Sequence, residues 1–112
     1  MINIKPYIML ILLLLSVSAG STAPETLSSE RQQELMRLLL ADCGSCHGMT
    51  MSGGLGPPLR QEDLAGKSDE YIFITIREGR AGTPMPPWSN FLSDDEISWM
   101  VDVLRHEKWK KN

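Results

Sequence analysis

Apolar residues first form one block, Tyr7 to Val17, interrupted by Ser16 alone, and after that recur at helical spacing. The block is eleven residues long, follows Lys5, and leads into Ser18, Ala19, Gly20, Ser21, Thr22 and Ala23. A membrane-spanning helix needs about 20 apolar residues, so this block is too short for one. A positive start, a short apolar centre and Val17-Ser18-Ala19 describe a secretory signal, cleaved after Ala19 or, as a second choice, after Ala23. Residues 20–28 then read as a short lead, and residues 29–112 as a single domain.

Within that domain Leu35, Leu38 and Leu39 recur at i, i+3, i+4, the apolar stripe of a helix starting near Ser28 or Ser29. Ser29 and Gln32 have capping-box spacing, and Gly44 and Gly48 weaken the far end. Gly53, Gly54, Gly56, Pro57 and Pro58 make residues 49–58 a loop. Gln61 to Leu64 reads as a short helical turn. Ser68 can cap a helix over Asp69 to Glu78, with Asp69 and Glu70 at its positive end and Gly79 as its stop. Tyr71, Ile72, Ile74, Thr75 and Ile76 would also suit a strand; the cap and the stop decide for helix. Pro84, Pro86 and Pro87 make residues 80–90 a second loop. Ser93 and Glu96 form a capping box for the last helix, whose apolar face is Ile97, Met100, Val101 and Leu104. The expected fold is all-α, three to four helices with loops long enough to wrap a bound group.

Size strengthens the case for such a group. Removing 19 of 112 residues leaves 93, a marginal length for a hydrophobic core. Domains this small rely on a staple, and two cysteines only three positions apart make a poor one. Loss of Lys5 takes the net charge from −3 to −4, which argues against nucleic acid as a partner. Asp94, Asp95 and Glu96 read as a charged helix start. Lys108, Lys110 and Lys111 read as a solvated basic tail.

Cys43-Gly44-Ser45-Cys46-His47 carries the strongest chemical signal. C-x-x-C-H is the motif of c-type haem attachment. Two thiols three residues apart reach the two vinyl groups on one edge of a porphyrin and become thioethers. The next residue, His47, then lies under the iron and offers a ring nitrogen. Attachment takes place outside the cytoplasm, in agreement with the signal. A thioredoxin-like dithiol expects a βαβ context that the pattern lacks. Tetrahedral zinc needs four ligands, and Cys43, Cys46, His47 and His106 are the only thiols and imidazoles present.

An iron that carries electrons without binding other molecules needs a second axial ligand, commonly Met or His. Met36 and Met100 fall on apolar helix faces, and Met49 and Met51 are too close to His47 to reach the opposite haem face easily. Met85 stands alone in Gly82-Thr83-Pro84-Met85-Pro86-Pro87-Trp88, where prolines on both sides stiffen the loop. It is the preferred second ligand. His106, at the polar end of the last helix, is the other candidate.

With Gly56-Pro57-Pro58-Leu59 added, the chain from about Glu34 to Arg105 resembles the small single-haem class I c-type cytochromes. The resemblance implies that the Pro57 carbonyl accepts the free N–H of His47 and that Leu59 packs on the haem. Members often carry an aromatic residue late in the C-terminal helix; this chain has Val103 there, with Trp99 one turn earlier. C-G-S-C-H-G-M-T, G-G-L-G-P and G-T-P-M-P-P-W are more closely similar to the NirC type found with denitrification genes. That implies a periplasmic one-electron carrier, with one covalent haem c on His47 and Met85, donating to cytochrome cd nitrite reductase. It is not expected to be an enzyme. The alternatives are an accessory role in maturing the haem d of that reductase, and a haem-based gas binder. For partner contact the loops supply Met49, Met51, Leu55, Pro86, Pro87 and Trp88, an apolar patch with few charges besides Arg80.

Overall fold

The computed structural model describes residues 26–111. The secretory signal expected over residues 1–19, with both of its cleavage points, lies outside the described residues, as do residues 20–25 of the lead.

Helix α1 (Ser29–Leu38) begins where extended Ser28 accepts a hydrogen bond from the Arg31 N–H at 3.2 Å. The cap is therefore Ser28, rather than the Ser29–Gln32 box that the spacing suggested. Either of two neighbouring serines can cap; with Ser28 in the role, the Gln32 side chain donates to the Leu27 carbonyl at 2.9 Å. The helix runs through Gly44 without a break and ends at Gly48, whose φ of 93° stops it. Past Leu38 it runs on as a π-helical turn, Leu39–Cys43, and then as α2 (Gly44–His47). A π turn takes in one extra residue and so rotates everything after it around the axis. Leu35 and Leu39 stay fully buried, while Cys46 and His47 come round to line a cavity.

The remaining helices follow their local chemistry. α3 (Gln61–Leu64) is the expected short turn, and α4 (Asp69–Glu78) is capped by Ser68, which accepts from the Tyr71 N–H at 3.1 Å. α5 (Asp94–Arg105) has the full capping box: Glu96 N–H donates to Ser93 Oγ at 3.2 Å, and Ser93 N–H donates to Glu96 Oε2 at 2.9 Å. The architecture is all-α, as expected, with four helices when α1 and α2 are counted as one and no strand among the described residues.

Helix α5 anchors the core. It buries Ile97, Met100, Val101, Val103 and Leu104, each stabilising by about 1.5–3 kcal/mol. Val103 is only 1 % exposed, and Trp99 packs against the same cluster, so the aromatic that Val103 replaces is supplied one turn earlier. Arg31 donates to Glu96, tying α1 to the start of α5 and holding that carboxyl below the usual glutamate range. Arg105 donates to Asp69 at 2.8 Å and to the carbonyls of Leu64 and Lys67 at 2.8 and 2.6 Å, fastening the α3–α4 connection onto α5. The C-terminal tail departs from expectation. Lys108, Lys110 and Lys111 are exposed, but Trp109 between them folds onto the core at 7 % exposure in a 3₁₀ turn, Lys108–Lys111. One large aromatic gains more by burial than three lysines lose by staying near it in water. No helix among the described residues is long and apolar enough to cross a membrane.

Candidate haem site

After α2 the chain folds back over its own last turn. The His47 carbonyl accepts from Gly53 N–H at 2.7 Å, and the Cys46 carbonyl accepts from Gly56 N–H at 2.7 Å. These bonds satisfy carbonyls that the end of a helix otherwise leaves free. Close approach is possible because of the glycines. At Gly56 a Cβ would lie 2.8 Å from two atoms of the His47 ring, so any side chain there would push the ring aside. With the ring against Gly56, His47 Nδ1 sits 2.6 Å from the Pro57 carbonyl oxygen. A carbonyl only accepts, so Nδ1 carries the proton and Nε2 keeps its lone pair. The acceptor thus fixes both the tautomer and the orientation of a ring ready to bind a metal.

A second loop faces the same space. Gly79 ends α4 at φ 66°, and a Cβ there would meet the Pro86 carbonyl carbon at 2.5 Å and the Met85 oxygen at 2.7 Å. The loop therefore lies directly on the helix end. Arg80 N–H donates to the Met85 carbonyl at 3.2 Å, Thr83 Oγ1 donates to the Arg80 carbonyl at 2.7 Å, and Met85 N–H donates to Thr83 Oγ1 at 3.3 Å. Between prolines that contribute no N–H, these three bonds set where Met85 sits.

The two loops, α3, α4 and α5 enclose a cavity of about 300 Å³. Cys46, His47, Pro57, Leu59 and Met85 all line it. Cys43 does not; it packs against the core, and burial pushes its thiol up to about 11. A redox dithiol needs a thiol pKa shifted down, so this environment does not suit one. His106 lines a different cleft with Asp69 and Glu70 and bonds to Asp102, so the four residues a zinc site would use are not brought together.

The cavity fits a haem. Its wall is largely aliphatic and aromatic, it holds a tautomer-fixed imidazole and a thioether, and the Cys46 thiol lines it, three residues after Cys43. Asp42, Lys67 and Arg80 are the charged residues of its lining. Sequence reasoning missed Lys67, Tyr71, Thr75 and Ile76 as lining residues. Tyr71, Ile72, Thr75 and Ile76 do follow the i, i+1, i+4, i+5 rule for one helix face, which would have found most of them.

The expected contact patch needs a correction. Met49 and Leu55 are 71 % and 76 % exposed, but Met51 is fully buried. Its φ of 55° turns it inward, and its N–H and C=O are bonded to Gly48 and Leu59 within the loop. Trp88 is half-buried against the core, with its ring edge-on to Phe91 at 5.8 Å.

Residues 30–102 match the family described as cytochrome C oxidase, cbb3-type, subunit III. The chain is 51 % identical over 82 residues to cytochrome c55X of Pseudomonas aeruginosa, covering 73 % of this chain and 69 % of that one. It is 42 % identical over 92 residues to cytochrome c55X of Paracoccus denitrificans, covering 82 % and 89 %. Among solved structures it is similar to a c-type cytochrome NirC, with a TM-score of 0.71 and 48 % identity over 74 % of this chain and 98 % of that one. Taken with the attachment motif and the cavity around it, these matches place the chain in the family of small c-type cytochromes of the NirC type, electron carriers with covalently bound haem c.

Proposed function

We propose that the chain is a periplasmic one-electron carrier whose haem c is held by Cys43 and Cys46, with His47 and Met85 as iron ligands, and that it donates to cytochrome cd nitrite reductase. Residues 1–19 serve as its export signal. One observation carries the ligand assignment: a single cavity is lined by both His47 and Met85, with Nδ1 of His47 tied to Pro57 at 2.6 Å.

Bound haem c supplies the redox couple, its iron alternating between Fe(II) and Fe(III). The chain's part is to hold two ligands still and keep water out. The Pro57 carbonyl raises the basicity of His47 through its N–H. Stiff flanking prolines hold the weak Met85 thioether without demanding a large ordering entropy. Leu59, Leu64, Ile72, Ile76 and Leu104 give the site apolar walls that limit water around the charge change.

Electron-transfer complexes bury little surface and form briefly. Met49 and Leu55 present exposed apolar side chains on the loop that follows the attachment helix. Asp42, Lys67 and Arg80 are the charged residues at the cavity itself, so steering should be weak. Reduced protein mixed with cytochrome cd nitrite reductase in a stopped-flow instrument should pass its electron at a rate changing less than about tenfold between low and physiological salt. A fall by orders of magnitude would show that charge pairing governs the encounter. No transfer at all would remove the reductase as acceptor and favour the haem d maturation role.

A further inference from the structure

The loop that carries Met85 has few means of holding its place. Pro84, Pro86 and Pro87 have no N–H to give, and the four loop bonds among Arg80, Thr83 and Met85 all stay within the loop. Among the described residues, one side-chain hydrogen bond leaves residues 80–87: Arg80 Nη2 donates to the Tyr71 hydroxyl at 2.9 Å. Tyr71 stands in the first turn of α4, and both residues line the cavity beside Met85. Arg80 also joins three of those loop bonds, through its N–H to the Met85 carbonyl and its carbonyl to the Thr83 N–H and Oγ1. Its side chain is thus the link between a self-tied loop and a helix rooted in the core through Ile72.

We propose that the Arg80–Tyr71 hydrogen bond is a latch that keeps the Met85 loop closed over the haem, so that Tyr71 and Arg80 are positioning residues for the sixth iron ligand. This inference rests on Met85 being that ligand. Gly79 supplies close contact at the root of the loop, and the latch pins the next residue, Arg80, whose N–H and carbonyl carry the bonds to Met85 and Thr83. When the latch opens, the loop swings about Gly79 and Gly82, which already have φ of 66° and 77°. Met85 leaves with it, and a small external ligand can enter. The latch sets how often that happens, while contributing little to the stability of the whole fold, because the bond is exposed to water.

The test uses the full-chain oxidised holoprotein, with imidazole as the external ligand and loss of the far-red Met–iron charge-transfer band as the signal. Tyr71→Phe and Arg80→Gln should each keep the band and speed its loss at saturating imidazole by about five- to tenfold. The double variant should be no faster than the faster single one, because both substitutions break the same bond. A general weakening of the fold would instead show as a lowered thermal midpoint, which is expected to stay within a few degrees of the parent. Unchanged rates in the single variants, or rate effects that multiply in the double variant, would overturn the latch. Absence of the band from the parent protein would remove Met85 as ligand, a different failure that takes the latch with it.

Discussion

Replacing both Cys43 and Cys46 with alanine should yield a chain that releases all of its haem to acid–organic extraction, whereas the parent keeps its haem on the polypeptide. The single variants should accumulate poorly and carry less haem. Stability explains the size of the effect. The cavity is about 300 Å³, and leaving that much apolar lining without its partner costs ~7 kcal/mol at most, since the cleft opens to solvent. A small domain has only about 5–15 kcal/mol to lose. Chains that cannot retain the cofactor should therefore lose much of their fixed tertiary packing. Near-ultraviolet circular dichroism of the double variant, compared with the parent, reads this directly. Haem that leaves the parent protein on extraction would contradict covalent attachment.

Met85→Ala should abolish the far-red charge-transfer band of the oxidised protein and lower its reduction potential, by on the order of 0.1–0.3 V. A thioether is a soft, weak donor that favours Fe(II), so its removal favours Fe(III). The change should be local. Met85 is half-buried in a loop outside the core cluster, and the bonds at Arg80 and Thr83 that shape the loop use only its backbone. Redox titration with absorption spectroscopy measures both quantities on one sample. A band that persists in the variant would assign the ligand to another residue.

Much of this arrangement could be read from local sequence because local chemistry determines it. Ser68 with Gly79, and Ser93 with Glu96, mark the ends of α4 and α5 through bonds made within four residues of each cap. The attachment motif and Gly56-Pro57 likewise act over ten residues or fewer, as the Nδ1 bond between His47 and Pro57 shows. What escaped depends on contacts that spacing does not encode. The π turn at Leu39–Cys43 has no composition of its own; it follows from the need to bury Leu39 and still turn His47 to the cavity. Met51 looked like a loop-tip residue, and only the left-handed turn sends it into the core. Trp109 was hidden by the lysines around it. The Arg80–Tyr71 bond joins two long side chains nine positions apart across a helix end, where rotamers rather than periodicity decide contact.

An electron carrier and a gas binder differ most clearly in whether the sixth position of the iron is already filled. The deciding measurement is the absorption spectrum of the reduced full-chain holoprotein before and after carbon monoxide at neutral pH. With Met85 held in place, the Soret band should stay where it is on mixing, with conversion, if any, far slower than mixing. An immediate shift of the Soret band, saturating at one carbon monoxide per haem, would show an open iron and contradict the carrier.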